Sequence, residues 1–322
     1  MNTMMKWGAI TLGCLALAGC SGGEDGDDKL VVGFSQIGSE SGWRAAETRV
    51  AREEAERRSV DLRISDAQQR QENQIRAIRT FIAQGVDAIL LAPVVATGWD
   101  AVLAEAKRAN IPVILLDRRI DTTDEGLYLT AVASDAVEEG RVAGRWLAET
   151  VADRPCNVIE LLGTVGASVA NDRKAGFAEV VADHPNLRII RSQSGEFTRS
   201  KAKEVMESLI RSARAEGICA VYAHNDDMMI GAVQALTEAG LRPGTDVLTV
   251  SIDGVPDIFR AMAAGQANAT VELTPNMAGP AFDALAAFRG NGTVPPKWIR
   301  TASPLYTADT AEAEYAKRQG RY

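Results

Sequence analysis

The strongest constraint in this chain is a repeating alternation. Short aliphatic runs recur with amphipathic segments between them, roughly 25 residues from one run to the next, the spacing of strand–helix–strand units in a parallel sheet. The purest run is IPVILLDR at 111–118. It is apolar from Ile111 to Leu116, as suits a strand buried on both faces, and it stops at Asp117 and Arg118. In open α/β sheets ligands bind outside the carboxyl ends of strands, which is where these opposite charges stand. Taken alone, the pair reads equally as a surface ion pair. Further runs at 30–35, 60–65, 86–93 and 128–134 make up a first unit. Between them lie stripes at helical spacing: Trp43, Ala46, Val50, Ala51 and Ala55, then Ile75, Ile78, Phe81 and Ile82, then Val102, Leu103 and Ala106.

The pattern then begins again. Strands are expected at 157–163, 187–194, 218–225, 246–253 and 268–273, with helices at 169–182, 199–215, 227–239 and 256–264. Two similar α/β units in series follow, and 322 residues exceed what one core usually sustains. A last helix at 277–289 and a tail strand around 298–306 remain. If the chain crosses back near Thr274 and Pro275, the helix completes the first unit and the tail returns to the second.

A formal charge of −8 and a pI near 5.1 give no electrostatic basis for gripping nucleic acid. At the N-terminus Lys6 precedes an apolar run at 7–18, of signal-peptide length and too short to span a bilayer. Its end, Leu17-Ala18-Gly19-Cys20, is similar to the lipobox of bacterial lipoproteins, and SGGEDGDD follows as an acidic, Gly-rich spacer. The expectation is a signal peptide at 1–19 and a tether at 20–29 lipidated at Cys20. The alternative is an ordinary secretory peptide cut nearby.

The blocks GFSQIGSESGWRAAE (33–47), APVVATGW (92–99), IPVILLDR (111–118), GTVGASVANDRKAGF (163–177), VYAHNDDMMIGA (221–232) and SIDGVPDI (251–258) together resemble the periplasmic sugar-binding proteins of ABC transporters, of the ribose and galactose type. Those at 33–47 and 163–177 look nearest to the galactofuranose-binding members. The resemblance covers nearly all of 30–306 and implies two Rossmann-like lobes with parallel sheets, joined by a three-strand hinge and closing on one monosaccharide. It implies a periplasmic protein that delivers galactofuranose to a permease served by an ATPase; with the lipid expected at Cys20, the expectation is a membrane-anchored monomer with no cofactor and no metal. The expected lobes are 30–132 plus 275–297 and 133–274 plus 298–310, with 311–322 as a tail.

Sugar hydroxyls both donate and accept. A pocket for them needs carboxylates, amide or guanidinium donors, and an aromatic plate for the C–H face. On the family pattern, Asp117 and Arg118 would bind from the first lobe, and Arg173, Asn225 and Asp253 from the second. Glu40, Ser41, Gly42, Trp43 and Arg44 sit on the turn after the first strand. Glu47, one helical turn beyond Trp43, Gln68 after the second strand, Phe197 in GEFTRS and Glu272 at the last crossing are secondary candidates. Other readings stand beside these. Trp43 opens an apolar helical stripe and reads as core, Asp253 in IDG reads as a turn residue, and Phe197 reads as core or hinge. Asp226 and Asp227 read as helix-start charges rather than ligands.

Other chemistries find less support. Gly163-Thr164-Val165-Gly166 is a helix-entry turn and no phosphate loop, and neither His184 nor His224 forms a metal-spaced cluster. Asp117 and Asp253 could face one sugar as glycosidase carboxylates do, but Arg118 beside Asp117 favours the ionised form over a proton-donating acid. A sugar-responsive repressor would carry a DNA-reading headpiece where the export signal stands. Service to chemoreception or a sensor kinase would use the same lobes. Cys156 and Cys219 each head a predicted strand of the second unit. In an oxidising compartment, with Cys14 removed and Cys20 lipidated, they are expected to pair; two buried free thiols are the alternative.

Overall fold

The computed structural model describes Met1, residues 29–213 and residues 216–319. The signal peptide and the lipidation expected at Cys20 lie outside the described residues. The first unit runs β1 (Val31–Gln36), α1 (Gly42–Arg57), β2 (Asp61–Asp66), α2 (Gln71–Ala83), β3 (Ala88–Leu91), α3 (Asp100–Arg108), β4 (Val113–Leu116) and β5 (Thr130–Ala133). Its strands are parallel in the order β2-β1-β3-β4-β5. Their alternation explains why every residue of β3 and β4 is apolar. Ile89, Leu91, Val113 and Leu115 pack with Phe81, Val102 and Leu103 on one face, while Leu90, Ile114 and Leu116 belong to the opposite core with Ala51 and Phe282.

The second unit repeats the design: α4 (Ala136–Val151), β6 (Cys156–Leu162), α5 (Ser168–Ala182), β7 (Leu187–Ser194), α6 (Arg199–Ala213), β8 (Ala220–Ala223), α7 (Asp226–Glu238), β9 (Leu248–Asp253), α8 (Pro256–Ala263) and β10 (Ala269–Glu272). The order β7-β6-β8-β9-β10 matches that of the first sheet. Cys156, at the head of β6, is bonded to Cys219, just before β8, with 5.1 Å between Cα atoms. β6 and β8 are hydrogen-bonded neighbours, so the bridge ties two parallel strand starts. Helices α4 and α5 touch backbone to backbone: a Cβ on Gly140 would lie 2.3 Å from the Arg173 carbonyl oxygen, and one on Gly176 1.9 Å from that of Val137.

Three connections cross between the lobes. After β5, Ser134 and Asp135 lead into α4; after β10, residues 273–277 lead into α9 (Ala278–Asn291), which packs on α1 and under β4 and β5. The expected single tail strand proves to be two. β11 (Trp298–Arg300) adds to the first sheet beside β5, and after a crossing at 301–304, β12 (Leu305–Thr307) adds antiparallel to β10 in the second. The stretch expected as a tail holds a helix, α10 (Ala311–Arg318), which packs on α8. Its Arg318 lies 4.6 Å from the Phe259 ring centroid and 5.1 Å from that of Tyr306.

Candidate ligand-binding site

In each sheet the strand order reverses beside the first strand of the unit, and the carboxyl ends there leave a crevice. The two crevices face each other. From the first lobe, the turn after β1 ends at Ser41, whose hydroxyl accepts from the Arg44 amide and starts α1, so that Trp43, Arg44 and Glu47 project from its opening turns. Asp117, at the end of β4, has left-handed backbone (φ 62°), a conformation Asp tolerates better than most residues. From the second lobe, Asn225 caps α7 through the Met228 amide, and Asp253 ends β9 at φ 132°. Phe197, at φ 60°, lays its ring where a Cβ on Gly163 would be.

These residues close a small cavity lined by Glu40, Ser41, Trp43, Arg44, Asp117, Arg118, Val169, Arg173, Phe197, Asn225, Asp253 and Leu273. The space is small, which suits a single sugar ring better than an oligosaccharide. Lobe-to-lobe contacts shut it. Gly42 N donates to Asp227 Oδ2 at 2.7 Å, Ala96 N to the Gly166 carbonyl at 2.9 Å, and Arg119 N to Ser168 Oγ at 3.0 Å. Arg119 Nη2 meets Asp172 Oδ2 at 3.0 Å, and Arg118 stacks 5.2 Å from the Phe197 ring centroid.

Inside, the charges hold one another. Arg44 Nη2 donates to Asp117 Oδ2 at 2.7 Å and Nη1 to Glu47 Oε2 at 2.6 Å, with Glu40 Oε1 3.5 Å from its Nε. Burial pulls the Arg44 guanidinium toward neutrality, but Glu47, Asp117 and Glu40 overcome it and hold the group above its ordinary range. Burial, with Arg44 adding to it, pushes Arg118 down to about 10, so both stay charged at neutral pH. Arg173 is held above its usual range: burial opposes, while Glu139, Asp253 and Asp117 prevail. Burial drives the Asp253 carboxyl well up, Arg173 resists, and Asp226, Asp227 and Asp117 add to the rise.

The protein does not use every polar atom these residues offer. Asp117 Oδ1, Glu40 Oε2, Arg44 Nε, Arg118 Nε and Arg173 Nη2 are buried and have no hydrogen-bond partner among the described residues. Buried polar atoms are normally paired, so two acceptors and three donors on residues lining one cavity define a place for a polyol. Trp43 and Phe197 supply aromatic walls. The Trp43 indole donates to the Leu273 carbonyl at 2.6 Å, fixing its ring against the second crossing.

Not every expected residue reaches this cavity. Gly42 faces the other lobe, its amide taken by Asp227. Glu47 stands behind Arg44 as a buttress that also accepts from Gln36 at 2.9 Å. Gln68 is exposed at φ 52° beyond β2, where its amide closes a turn with Asp66. Glu272 pairs with Arg318 at 2.9 Å and lines a separate cleft. Val169 and Leu273 line the cavity without a polar signal that sequence reasoning could have used. Glu139 holds Arg173 from behind, and Asp227 reaches across to the Gly42 amide of the other lobe. Among the described residues no metal-holding cluster of His, Cys, Asp or Glu occurs, and no helix is long and apolar enough to cross a membrane.

Two lobes joined by three crossings, closed over a small cavity with spare donors, spare acceptors and aromatic walls, define a solute-binding protein of the two-lobed kind. The periplasmic binding protein domain family matches residues 32–289, and the chain belongs to it. It is 64% identical over 291 residues to the galactofuranose-binding protein YtfQ of Escherichia coli (strain K12), covering 90% of this chain and 92% of that one. A crystal structure of a galactofuranose binding protein superposes with a TM-score of 0.90 at 63% identity, covering 91% of this chain and all (100%) of that one. The periplasmic binding component of an arabinose ABC transporter from Shewanella sp. ANA-3, solved with α- and β-L-arabinofuranose, superposes with a TM-score of 0.89 at 55% identity, covering 90% and 96%. These relatives are binding proteins and not enzymes, which answers the glycosidase alternative.

Proposed function

We propose that the protein captures galactofuranose between its lobes and delivers it to the permease and ATPase of an ABC importer, as a periplasmic monomer anchored by lipid at Cys20. The observation that carries the reading is the set of unpartnered atoms on Asp117, Glu40, Arg44, Arg118 and Arg173 around one small cavity. A five-membered ring is favoured by what the similar proteins bind: galactofuranose in two of them and arabinofuranose in the third. L-Arabinofuranose is the second candidate, on the strength of the 55%-identical structure that holds it; galactofuranose shares its five-membered ring and lengthens the exocyclic arm by one carbon.

Asp117, Arg118 and Glu40 hold the ring from the first lobe, and Arg173, Asn225 and Asp253 complete its hydrogen bonds only when the lobes meet, so that sugar selects the closed state. Calorimetry with D-galactose, L-arabinose and D-ribose tests this, with NMR of galactose labelled at its anomeric carbon to report the bound ring form. Galactose bound as furanose, with ribose weaker, is expected. Removing a charged partner costs about 1.5–3 kcal/mol, so Asp117→Ala should weaken binding at least about tenfold. A bound pyranose would refute the ring assignment, and unchanged affinity in Asp117→Ala would move the site.

A further inference from the structure

Arg173 presents its guanidinium unequally. Nη1 donates to the His224 carbonyl at 2.7 Å and Nε to Glu139 Oε2 at 2.9 Å, leaving Nη2 as the buried arm without a partner among the described residues. Two of three arms are thus spent on fixing the fork, and the planar geometry of guanidinium then fixes where the third one points. Glu139 is fully buried, with 0% exposure, and its second oxygen is also engaged: Oε1 accepts from Ser303 Oγ at 3.0 Å. Ser303 lies in the third crossing, and Glu139 in the first turn of α4, just after the first crossing. One carboxylate therefore touches both the cavity-lining cation and a hinge strand, from an element rooted in another hinge strand.

The backbone around it is stiff. Because a Cβ on Gly140 would lie 2.3 Å from the Arg173 carbonyl and 2.8 Å from the Phe177 amide nitrogen, α4 and α5 pack with no side chain between them at this level. A shift of the third crossing that moves Ser303 has little slack to disappear into before it reaches Arg173. We propose that Glu139 is a positioning residue: it aims the spare arm of Arg173 at the bound sugar and, through Ser303, links that aim to the setting of the hinge. The inference rests on the reading of this cavity as the sugar site.

The test is calorimetry with D-galactose and L-arabinose on the parent protein, Glu139→Gln, Arg173→Met, the double variant and Ser303→Ala. Glutamine keeps the size of Glu139 but has only one acceptor oxygen for the two donors. The expected result is at least tenfold weaker binding in Glu139→Gln and a loss of twofold or less when the same change is made in Arg173→Met, because the residue acts through Arg173. Equal losses in both backgrounds, or unchanged binding in Glu139→Gln, overturn the positioning role. Ser303→Ala, which leaves the ion pair and the fold in place, should weaken binding about threefold or more; parent-like affinity there removes the link to the hinge, and it decides the matter if Glu139→Gln fails to fold. A parent protein that binds neither sugar would instead refute the assignment of the site.

Discussion

Asp253 shows how the site trades stability for recognition. It is 3% exposed, sits at φ 132°, and burial pushes its carboxyl well above the ordinary range, with Asp226, Asp227 and Asp117 reinforcing what Arg173 opposes. A carboxyl raised in the folded state holds its proton more tightly there than in the unfolded chain. Its contribution to stability is therefore fully present below the unfolded value of about 4 and is lost as the pH rises toward the folded value. Asparagine copies the shape of the protonated acid. Without sugar, Asp253→Asn should melt higher than the parent at neutral pH, and the two should converge near pH 4, as thermal melts across that range would show. Sugar affinity should fall at least about tenfold, since the amide puts a donor NH2 where a carboxyl oxygen would accept from the sugar and leaves a hydroxyl unpaired. A lower melting point at neutral pH would contradict the account.

At the scale of elements, most strands and helices were legible because their apolar residues form unbroken runs, as in β3 and β4, or repeat with period two or about 3.6, as in β9 and the stripes of α1, α2 and α3. β11 and β12 were merged because three residues cannot display a period, and α10 was missed because it is short and largely polar, with only Ala311, Glu314 and Arg318 buried. That miss explains the misplacement of Glu272: it pairs in register with Asp253, but α10 brings Arg318 to claim it. Close helix contact was equally silent in the sequence. Gly140→Ala would gain about 1 kcal/mol of helix propensity, yet its methyl meets backbone at 2.3 Å, and overpacking of that kind costs about 1–3 kcal/mol. Net destabilisation is expected, read as a lower denaturation midpoint. Gly290→Ala in α9, where nothing lies within 4 Å of the added carbon, should be neutral or stabilising; a parallel loss at both positions would show that contact between α4 and α5 is not the cause.

For the whole molecule, function depends on how far closure is already favoured before sugar arrives. The ion-pair cluster of Arg44, Asp117 and Glu47 is complete within the first lobe, and that of Arg173 and Glu139 within the second, so opening breaks neither. What opening does break is a small set of rim contacts, and the one with full charge assistance to backbone is Asp227. It is 5% exposed; Oδ1 accepts from Arg199 Nη2 at 2.8 Å inside its own lobe, while Oδ2 accepts the Gly42 amide at the start of α1 in the other. From sequence, Asp227 read as a helix-start charge on α7; the second role needs the other lobe in place and has no local signature. Asp227 does not line the cavity. Asp227→Ala should therefore leave the sugar's own contacts intact and act on the open–closed balance alone, with affinity lower by about fivefold or more for the loss of a charged hydrogen bond. Small-angle scattering separates the two causes. The sugar-free variant should be less compact than the sugar-free parent, and saturating sugar should restore the same closed dimensions in both. If the affinity falls while the sugar-free scattering curves coincide, Asp227 is not a closure contact, and its effect would have to pass through the neighbouring Asn225 cap.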